Sequence, residues 1–373
     1  MRRDPHPLRD RWLDAVAAAI GVTRVARLTG LDRTGVEVAS AVRPAGHVLQ
    51  VTNGKGATFA EAARGAVMEA VELWAAEHAV PGPHGTADEV RRAAPGVEVL
   101  SATALTPDAD PAWDALALGW REAAVLGRGG RALVPAAAVS CPPPSAPLLG
   151  PAVIRWTSNG MGAHRDRAAA VLHGLLEAVE RDQLARALPE GFTAEALRAR
   201  LVAPGSLARA APRSAARVAA LARRGFRVHL LDCGAGAGLP VAAALLVDPD
   251  GAPVPVAAGY ACRLERDAAL SAALLEACQS RATEIHGARE DVLVGDRDQA
   301  APLAALCAAI RPRLDAGALP SARAPSPARA IGAIVRRLEA AGLGPAVAAD
   351  LPAPEGVHAV QVVVPGLLLS ELL

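Results

Sequence analysis

The hydrophobic and polar positions of this chain follow two periods, one typical of strands and one typical of helices. Short apolar or alternating runs such as FRVHLLDCG and PVAAALLVDP predict paired strands. Three longer runs rich in alanine each follow a strand-like segment that contains glycine, and their length predicts helices. We place these helices at about 60–78, 166–187 and 267–286. The chain is therefore expected to fold as a mixed α/β protein.

Less regular stretches fill the rest of the chain. Residues 21–44 alternate like two strands joined by a turn at Asp32–Gly35, and AVIRWTSNGMG at 152–162 predicts a strand and a turn. Residues 192–224 have the pattern of small surface helices. Near the end of the chain, HAVQVVVPGLLL predicts a buried strand.

The length of the chain allows one large domain or two modest ones, and we expect a single domain that covers residues 1–373. Of these residues 52% are hydrophobic but only 2% are aromatic, so small side chains should let the helices pack closely. The proline-rich segment CPPPSAPLLGP at 141–151 is a candidate seam between subdomains. The low-complexity residues 311–330 are expected to form a surface loop.

Charge and cysteine content exclude several classes of function. A net charge of +1, from 39 basic and 38 acidic residues, gives no reason to expect nucleic acid or a membrane surface as a partner. The five cysteines are scattered without a CxxC pair, which argues against disulfides or structural zinc and fits a reducing cytoplasm. The sequence has neither a secretory h-region nor a run of about 18 apolar residues that would predict a membrane span.

The three alanine-rich helices carry the same polar pair. Each follows a glycine-containing strand or turn, and each has the order E-A-x-E or E-A-x-Q in its later turns. The spacing from the glycines to the first carboxylate differs by only a residue or two, which indicates an internal repeat. The pairs are Glu69 and Glu72, Glu177 and Glu180, and Glu276 and Gln279.

Helical projection distinguishes the three pairs. The faces around Glu69 and Glu276 consist mostly of alanine, glycine, serine and threonine, which lets a ligand approach closely. The first helix is apolar on its other side as well, so its carboxylates should be buried, and buried carboxylates normally need a cation. In the second helix, Glu177 and Glu180 point away from the apolar stripe. Glu177 is also placed to pair with Arg181 on a solvated face, which is the simplest alternative.

Clustered carboxylates beside a glutamine are suitable oxygen ligands for Mg²⁺, which often carries phosphate oxygens as well. No basic residue follows Glu69 and Glu72 closely in the sequence, so we interpret the missing counter-charge as a metal–nucleotide complex. Lys55 lies in a glycine turn before a helix and is placed to meet a phosphate, although no Walker GxxxxGK[ST] loop occurs. A structural metal site without nucleotide is the alternative.

These motifs resemble those of the YcaO family, whose members couple ATP hydrolysis to backbone-amide chemistry in peptides. The resemblance extends from about Gly21 to Leu367. It rests on NGKG with MEAVE at 53–72, SNG with HGLLEAVERD at 158–182, and LLEACQSR with HGARED at 274–291. It implies a YcaO-like fold in which repeated strand–turn–helix units surround a nucleotide cleft. It also implies ATP and Mg²⁺ as cofactors.

The resemblance assigns roles to individual residues of the repeats. The glutamates of such helices bind Mg²⁺ and ATP in the family, and neighbouring polar residues contact the nucleotide. The implied metal ligands are Glu69, Glu72, Glu177, Glu180 and Glu276; the implied cofactor-binding residues are Lys55, Glu69, Asn159, Glu177 and Arg281; and the implied catalytic residues are Glu72, Glu180, Arg181 and Gln279.

Departures from the family pattern resemble one branch of it. Gly65 stands where the family usually has serine, and Leu73 stands where it usually has arginine. With GVTRVARLTGLDRTGV, these positions resemble the branch that works with a TfuA-type partner protein. The proline-rich PxPxP tail of many azoline-forming members is missing from VVVPGLLLSELL. The resemblance therefore implies thioamide formation on a peptide substrate with a TfuA-like partner, and it leaves open whether the chain forms a homodimer.

The implied chemistry leaves two further alternatives. In the family reaction, sulfide or a substrate side chain adds to a peptide carbonyl, and the resulting oxyanion takes the γ-phosphoryl group of ATP. The first alternative is an azoline-forming cyclodehydratase that acts on Cys, Ser or Thr of a precursor peptide. The second is a non-catalytic nucleotide-binding adaptor, which would release phosphate without any dependence on peptide.

Overall fold

Strands and helices alternate along the chain in the computed structural model, which describes residues 10–106, 109–143, 150–291 and 297–370. The helices are α1 (Arg11–Ala19), α2 (Phe59–His78), α3 (Ala87–Ala93), α4 (Ala102–Leu105), α5 (Arg167–Ala187), α6 (Ala194–Arg200), α7 (Pro204–Ala210), α8 (Pro212–Ala222), α9 (Arg266–His286), α10 (Arg297–Ala309) and α11 (Pro327–Ala340). The strands are β1 (Arg24–Arg27), β2 (Glu37–Val42), β3 (Val51–Gly56), β4 (His84–Gly85), β5 (Glu98–Val99), β6 (Leu118–Val125), β7 (Arg131–Pro135), β8 (Met161–His164), β9 (Arg227–Asp232), β10 (Val241–Val247), β11 (Val256–Cys262), β12 (Val347–Leu351) and β13 (His358–Val363).

The three predicted strand–turn–helix repeats are confirmed as β3–α2, β8–α5 and β11–α9. Two or three residues separate each strand from its helix, and each helix has 20 or 21 residues. The helix bounds agree with the predicted ones within one residue. α9 ends at Gly287, whose φ of 64° is the left-handed conformation that glycine adopts without strain.

The glycines of the repeats let each strand lie directly on its own helix. A Cβ atom at Gly54 of β3 would overlap backbone atoms of α2, and one at Gly162 of β8 would overlap backbone atoms of α5. A Cβ atom at Gly259 of β11 would likewise overlap the backbone of α9. The helix faces opposite these glycines are made of alanine and glycine, so backbone meets backbone in all three repeats. In the first and third repeats this close approach places Glu69 and Glu276 within hydrogen-bonding distance of their own strands.

The described residues divide into two units whose sequences interleave. The first unit holds those of 1–70 and 183–323 together with Ser370, and the second holds 71–182 and 324–369. The boundaries at 70/71 and 182/183 fall inside α2 and α5, so each of these helices supplies residues to both units.

The first unit contains two antiparallel sheets of three strands, in the orders β1–β2–β3 and β11–β10–β9. The middle strand β10 is buried along its whole length. Helices α7, α8 and α9 pack on the second sheet through a core that includes Leu207, Leu221, Leu246 and Leu274. The middle of this sheet is therefore apolar, whereas the edge strand β9 carries Arg227, His229 and Asp232.

The second unit is built on a seven-stranded sheet. Six strands follow the order β5–β7–β6–β12–β13–β8, and β4 pairs with β6. All neighbours are antiparallel except β5 and β7. Its described core centres on Trp120, which packs with Leu118 and Leu133 and donates its indole N–H to the carbonyl of Gly85 at 2.9 Å. Burial of this tryptophan therefore leaves no unpaired donor.

One predicted strand is wrong. Of AVIRWTSNGMG, only the last two residues enter β8, which begins at Met161, and the preceding residues form bends and a turn. Gln361 explains the difference, because its side-chain amide donates to the carbonyls of Thr157 and Asn159 at 2.9 and 3.0 Å. Its Oε1 accepts from the indole N–H of Trp156 at 3.1 Å. A buried side chain thus satisfies backbone groups that a strand would have paired.

The two irregular segments differ in how far the structure describes them. Residues 311–330 are not simply a surface loop, because Ala316 and Leu319 lie in the core of the first unit and α11 begins at Pro327. The candidate seam at 141–151 falls within the second unit, and its residues 144–149 lie outside the described ranges. The seam stays a prediction. In the part of the chain that the structure describes, no helix has the length and apolar character needed to cross a bilayer.

Candidate functional site

The first repeat holds Glu69 against its own strand. The backbone N–H of Asn53 on β3 donates to Glu69 Oε2 at 3.1 Å, across 16 residues of sequence. Burial raises the pKa of the Glu69 carboxyl above its usual value, while the cations Arg289 and Lys55 and the Asn53 N–H act in the opposite direction. A nearby negative charge, that of Glu276, raises this pKa further. The carboxylates of two repeats therefore lie close enough to interact.

The third repeat holds Glu276 in the same way. The backbone N–H of Tyr260 on β11 donates to Glu276 Oε1 at 3.3 Å, again across 16 residues. The other carboxylate oxygen, Oε2, forms an ion pair of 2.8 Å with Lys55 Nζ. The repeat therefore fixes both the carboxylate and the strand group that orients it.

Polar contacts join the first and third repeats into one group, which we call the first-unit cluster. Arg289, which follows α9, lies 3.6 Å from Glu69, and its Nε donates to Asp291 at 2.8 Å. The side-chain amide of Asn53 donates to Thr283 Oγ1 on α9 at 2.9 Å. The members of the first-unit cluster are Asn53, Lys55, Glu69, Glu276, Thr283 and Arg289.

The first-unit cluster corrects the expectation that Glu69 lacks a protein counter-charge. Lys55 neutralises Glu276 and Arg289 neutralises Glu69, although both cations are distant in sequence from their partners. The ion pairs keep about a quarter of their side-chain surface exposed, so a ligand can reach them. A cluster of two carboxylates and two cations is suited to exchange partners with a charged ligand.

The second unit contains the remaining carboxylates of the repeats. The backbone N–H of Ala163 on β8 donates to Glu72 Oε1 at 2.8 Å, so this glutamate too is held by a strand N–H. Glu180 is buried and lies 3.8 Å from the guanidinium of its neighbour Arg181.

Asn159 lies where the chain enters β8. Its backbone carbonyl accepts from Gln361, and its side-chain oxygen Oδ1 is buried with no hydrogen-bond partner among the described residues. Asn53, at the corresponding place of the first repeat, has the same property. Buried acceptors without a donor are uncommon in proteins and call for an explanation.

Arg281 is not available to a nucleotide in this structure, contrary to the role that its motif implied. Its guanidinium is fully buried and pairs with Asp248 at 2.8 Å and Asp32 at 3.1 Å. It also donates to the carbonyl of Val254 and lies over the ring of Phe226. These contacts engage all three nitrogens of the guanidinium, so Arg281 stabilises the core of the first unit.

The structure thus divides the ten predicted site residues between its two units. In the first unit it brings together Lys55, Glu69 and Glu276, and it places Gln279 one turn further along α9. The predicted residues of the second unit are Glu72, Asn159, Glu177, Glu180 and Arg181.

Three residues of the first-unit cluster were missed in the sequence. Asn53 begins the NGKG motif, and Arg289 lies in the HGARED motif that follows the third helix. Thr283 lies on the same face of α9 as Glu276. Each of these residues could therefore be found from a motif or a helical face, but the contacts between them could not be predicted from the sequence.

The donor set fits Mg²⁺ bound together with phosphate. In neither unit do three or more described His, Cys, Asp or Glu side chains form a group that could hold a metal ion alone. Mg²⁺ seldom needs such a cage, because one or two carboxylates, waters and phosphate oxygens complete its octahedron. Glu69, Glu276 and the unpartnered amide oxygen of Asn53 are all hard oxygen donors. The residues present therefore fit a metal that arrives with a nucleotide.

The fold and the site define an α/β protein with carboxylate-bearing helices repeated on glycine-rich strands. Residues 53–368 match the family model described as YcaO cyclodehydratase, ATP- and Mg²⁺-binding. The chain belongs to the YcaO family, and the predicted cofactors, ATP and Mg²⁺, are those of the family description.

Two relatives support this assignment. An uncharacterized protein of Methanothermobacter thermautotrophicus is 32% identical over 284 residues, which cover 74% of this chain and 69% of the relative. An uncharacterized protein from the region 3′ of tfuA in Rhizobium leguminosarum bv. trifolii is 30% identical over 373 residues, which cover 93% of this chain and 84% of the relative. The second relative supports the predicted TfuA-associated branch.

Solved structures confirm the predicted fold. A heterocyclase in complex with substrate and cofactor superposes with a TM-score of 0.71 and 19% identity. The match covers 96% of this chain and 52% of the heterocyclase, so the chain spans about half the length of that protein. YcaO from Methanopyrus kandleri, bound with AMPPCP and Mg²⁺, gives a TM-score of 0.66 at 23% identity over 96% of this chain and 89% of the other.

Proposed function

We propose that this protein is an ATP-dependent enzyme that activates a backbone amide of a peptide by phosphorylating its carbonyl oxygen. The observation that carries the proposal is the first-unit cluster, in which Glu69 and Glu276 are each held by a strand N–H and each lie beside a cation. Oxygen donors for Mg²⁺ next to cations for phosphate are what phosphoryl transfer requires of a protein. Membership of a family described as ATP- and Mg²⁺-binding supports the same conclusion.

Each group of residues has a proposed role in binding. Lys55 and Arg289 would exchange their carboxylate partners for phosphate oxygens, and Arg181 offers a further guanidinium in the second unit. Bound Mg²⁺–ATP supplies the phosphoryl group together with the charge that neutralises its oxygens. The proposed metal ligands are the glutamates of the repeats, Glu69, Glu72, Glu177, Glu180 and Glu276; Asn159 and Gln279 are proposed to orient the nucleotide and the reacting peptide.

The proposed reaction exchanges the amide oxygen of the peptide. A nucleophile adds to the carbonyl carbon, and the oxyanion formed there takes the γ-phosphoryl group of ATP. Phosphate then leaves with the former amide oxygen, and ADP is the second product. With sulfide as the nucleophile, the carbon keeps the sulfur and the product is a thioamide. The protein contributes mainly positioning and charge neutralisation.

Thioamide formation with a TfuA-like partner is the form of this reaction that we propose. The relative from the region 3′ of tfuA supports it, because the match covers nearly the whole of this chain. Leu73, which stands where the family usually has arginine, supports it as well. No CxxC motif is present that would carry sulfur within this chain, so the partner is proposed to deliver it. Whether the chain forms a homodimer stays a prediction.

Azoline formation is the second candidate, and a specific observation favours it. The family description is that of a cyclodehydratase, and the heterocyclase bound to substrate and cofactor has the same fold. In that reaction the nucleophile is a side chain of the substrate, and its addition closes a ring. The same carboxylates and cations would serve both reactions, so the product decides between them.

Mass spectrometry of a peptide incubated with this protein, a TfuA-like partner, ATP and sulfide tests the proposal. Exchange of oxygen for sulfur raises the peptide mass and requires sulfide. Loss of one water at Cys, Ser or Thr without sulfide would instead support azoline formation. Phosphate release at the same rate with and without peptide would contradict amide activation and favour the adaptor.

Matched variants link the activity to the site. Glu72→Gln keeps a side-chain oxygen that can accept from the Ala163 N–H but removes the charge, so we expect a folded protein with little peptide-dependent phosphate release. Glu195→Gln changes an exposed glutamate of α6 in the same manner and should leave the activity unchanged. Equal activities of these two variants would show that the Glu72 carboxylate is not part of the active site.

A further inference from the structure

Asn53 combines nearly complete burial with an unsatisfied acceptor. Its relative exposure is 3%, its backbone N–H donates to Glu69 Oε2 at 3.1 Å, and its side-chain Nδ2 donates to Thr283 Oγ1 at 2.9 Å. Its side-chain oxygen Oδ1 is buried and has no hydrogen-bond partner in the described ranges. A protein that buries such an oxygen loses stability unless a ligand satisfies it.

The hydrogen-bond network fixes which way the amide points. The Thr283 hydroxyl has one hydrogen, and it donates this hydrogen to the carbonyl of Gln279 at 2.8 Å. Thr283 Oγ1 is therefore left as an acceptor toward Asn53, which requires the NH₂ group of the amide on that side. Rotating the amide would place two acceptors against each other, so Oδ1 must point away from Thr283.

Both cations of the first-unit cluster have other partners. Lys55, two residues along β3, pairs with Glu276 at 2.8 Å, and Arg289 lies 3.6 Å from Glu69. No described protein group satisfies Oδ1, so its partner comes from outside the protein, as a bound cation would. The backbone N–H of Asn53 also holds the Glu69 carboxylate. This strand position therefore offers a metal two kinds of oxygen, the amide oxygen of Asn53 and a carboxylate oxygen of Glu69. Neutral and anionic oxygens together are the usual ligands of a hard divalent cation.

We propose that Asn53 Oδ1 is an oxygen ligand of the divalent metal bound with the nucleotide. The inference rests on the proposed function, since it assumes a metal–nucleotide complex at the first-unit cluster. The second repeat supports it independently, because the side-chain oxygen of Asn159 is also buried and unpartnered. The two asparagines stand immediately before the first glycine of matching N-G-x-G-A motifs.

Thr283 provides a matched control. Asn53→Leu and Thr283→Val both break the same hydrogen bond between the two side chains, but only Asn53→Leu removes Oδ1. Asn53→Asp keeps a side-chain oxygen and adds a charge that a metal would neutralise. Folding of each variant is checked by circular dichroism. The readout is binding, measured by calorimetry with AMPPCP in excess Mg²⁺ and again with EDTA.

Asn53→Leu is expected to weaken Mg²⁺-dependent AMPPCP binding by about tenfold or more, the scale on which changes near a metal act. Thr283→Val, which leaves Oδ1 in place, is expected to weaken Mg²⁺-dependent binding clearly less than Asn53→Leu does, and Asn53→Asp is expected to retain it. Equal weakening by Asn53→Leu and Thr283→Val would overturn the role of Oδ1, and so would equal weakening by Asn53→Leu with and without Mg²⁺. If Asn53→Leu does not fold, loss of Mg²⁺-dependent binding by folded Asn53→Asp would overturn it. Failure of the parent protein to bind Mg²⁺–AMPPCP would instead overturn the proposed function itself.

Discussion

Lys55 Nζ and Glu276 Oε2 lie 2.8 Å apart although 221 residues separate them in the sequence. Lys55 belongs to the strand of the first repeat, and Glu276 belongs to the helix of the third. The contact therefore joins two copies of one strand–helix unit, through a strand residue of the first copy and a helix residue of the third. It also shows that a carboxylate of an alanine-rich helix can have its counter-charge far away in the sequence.

We expect this ion pair to matter more for ligand binding than for stability. Both side chains are about a quarter exposed, so Lys55→Met or Glu276→Gln should lower the free energy of unfolding by only ~0–1 kcal/mol. Lys55→Met should weaken Mg²⁺–AMPPCP binding about tenfold or more, because a hydrogen bond to a charged group contributes about 1.5–3 kcal/mol. Urea denaturation and calorimetry measure the two effects. A large loss of stability with unchanged binding would make the pair structural.

The raised pKa of the Glu69 carboxyl predicts a particular pH dependence of stability. Because burial raises the pKa of its carboxyl above the usual 4.5, the folded state binds this proton more tightly than the unfolded state does. The resulting stability is present below pH 4.5 and is lost as the pH rises through the raised pKa. Glu69→Gln removes this loss, so its free energy of unfolding should increase relative to that of the parent as the pH rises from about 4.5.

Urea denaturation at several pH values, with the exposed Glu195→Gln as the control, measures this difference. Mg²⁺ with AMPPCP should reduce the pH dependence of the parent, because a bound cation favours the charged carboxylate. A difference between Glu69→Gln and the parent that stays constant over the whole pH range would contradict the prediction.

Arg281 is expected to act on stability alone. Arg281→Met removes a fully buried cation and leaves Asp32 and Asp248 without it, which should cost about 3–5 kcal/mol. Arg33 still pairs with Asp248 at 2.6 Å, so the loss should lie at the lower end of that range. Thermal unfolding measures the loss, and Arg223→Met, which changes an exposed arginine at the end of α8, should have almost no effect.

The same Arg281→Met variant also tests the nucleotide role that its motif implied. Where the variant remains folded, Mg²⁺–AMPPCP should bind with the affinity of the parent protein. A folded Arg281→Met variant with normal stability and lost nucleotide affinity would restore the nucleotide role.

The backbone of the repeats could be predicted from the sequence because local signals determine it. The helix predicted at about 267–286 is observed at Arg266–His286, and Gly287 ends it in a left-handed conformation. The helix predicted at about 60–78 is observed at Phe59–His78. Long alanine-rich stretches that follow glycine-containing strands predict both the helices and their boundaries. The positions of Glu69 and Glu276 relative to their own strands follow from these elements.

The partners of the site residues could not be predicted, because they depend on which repeats meet in space. Nothing near Glu69 indicates Arg289, which lies beyond the end of α9. The burial of Arg281 could not be predicted, because its motif gives the residue type without its direction. It follows Glu276 by five positions, which places it about 140° away around the helix, toward the core. Thr283, seven positions after Glu276, returns to within about 20° of it and reaches Asn53.

The close approach of strand and helix gives a last prediction, at Gly259. A Cβ atom there would overlap backbone atoms of Ala273, Glu276 and Ala277, and backbone cannot move aside as the end of a side chain can. Gly259→Ala should therefore force β11 away from α9 and lower the free energy of unfolding by about 1–3 kcal/mol, as overpacking of a core does.

Gly205, in the first turn of α7, has nothing within 4 Å of the position that a Cβ would take. Gly205→Ala should therefore leave stability unchanged or raise it by about 0.4–1 kcal/mol, since alanine lowers the entropy of the unfolded chain. Urea denaturation of both variants gives the comparison. Because Glu276 is oriented by the N–H of Tyr260, the residue after Gly259, a folded Gly259→Ala protein should also bind Mg²⁺–AMPPCP more weakly than the Gly205→Ala variant. Equal stability and equal affinity of the two variants would mean that the strand does not set the position of the carboxylate.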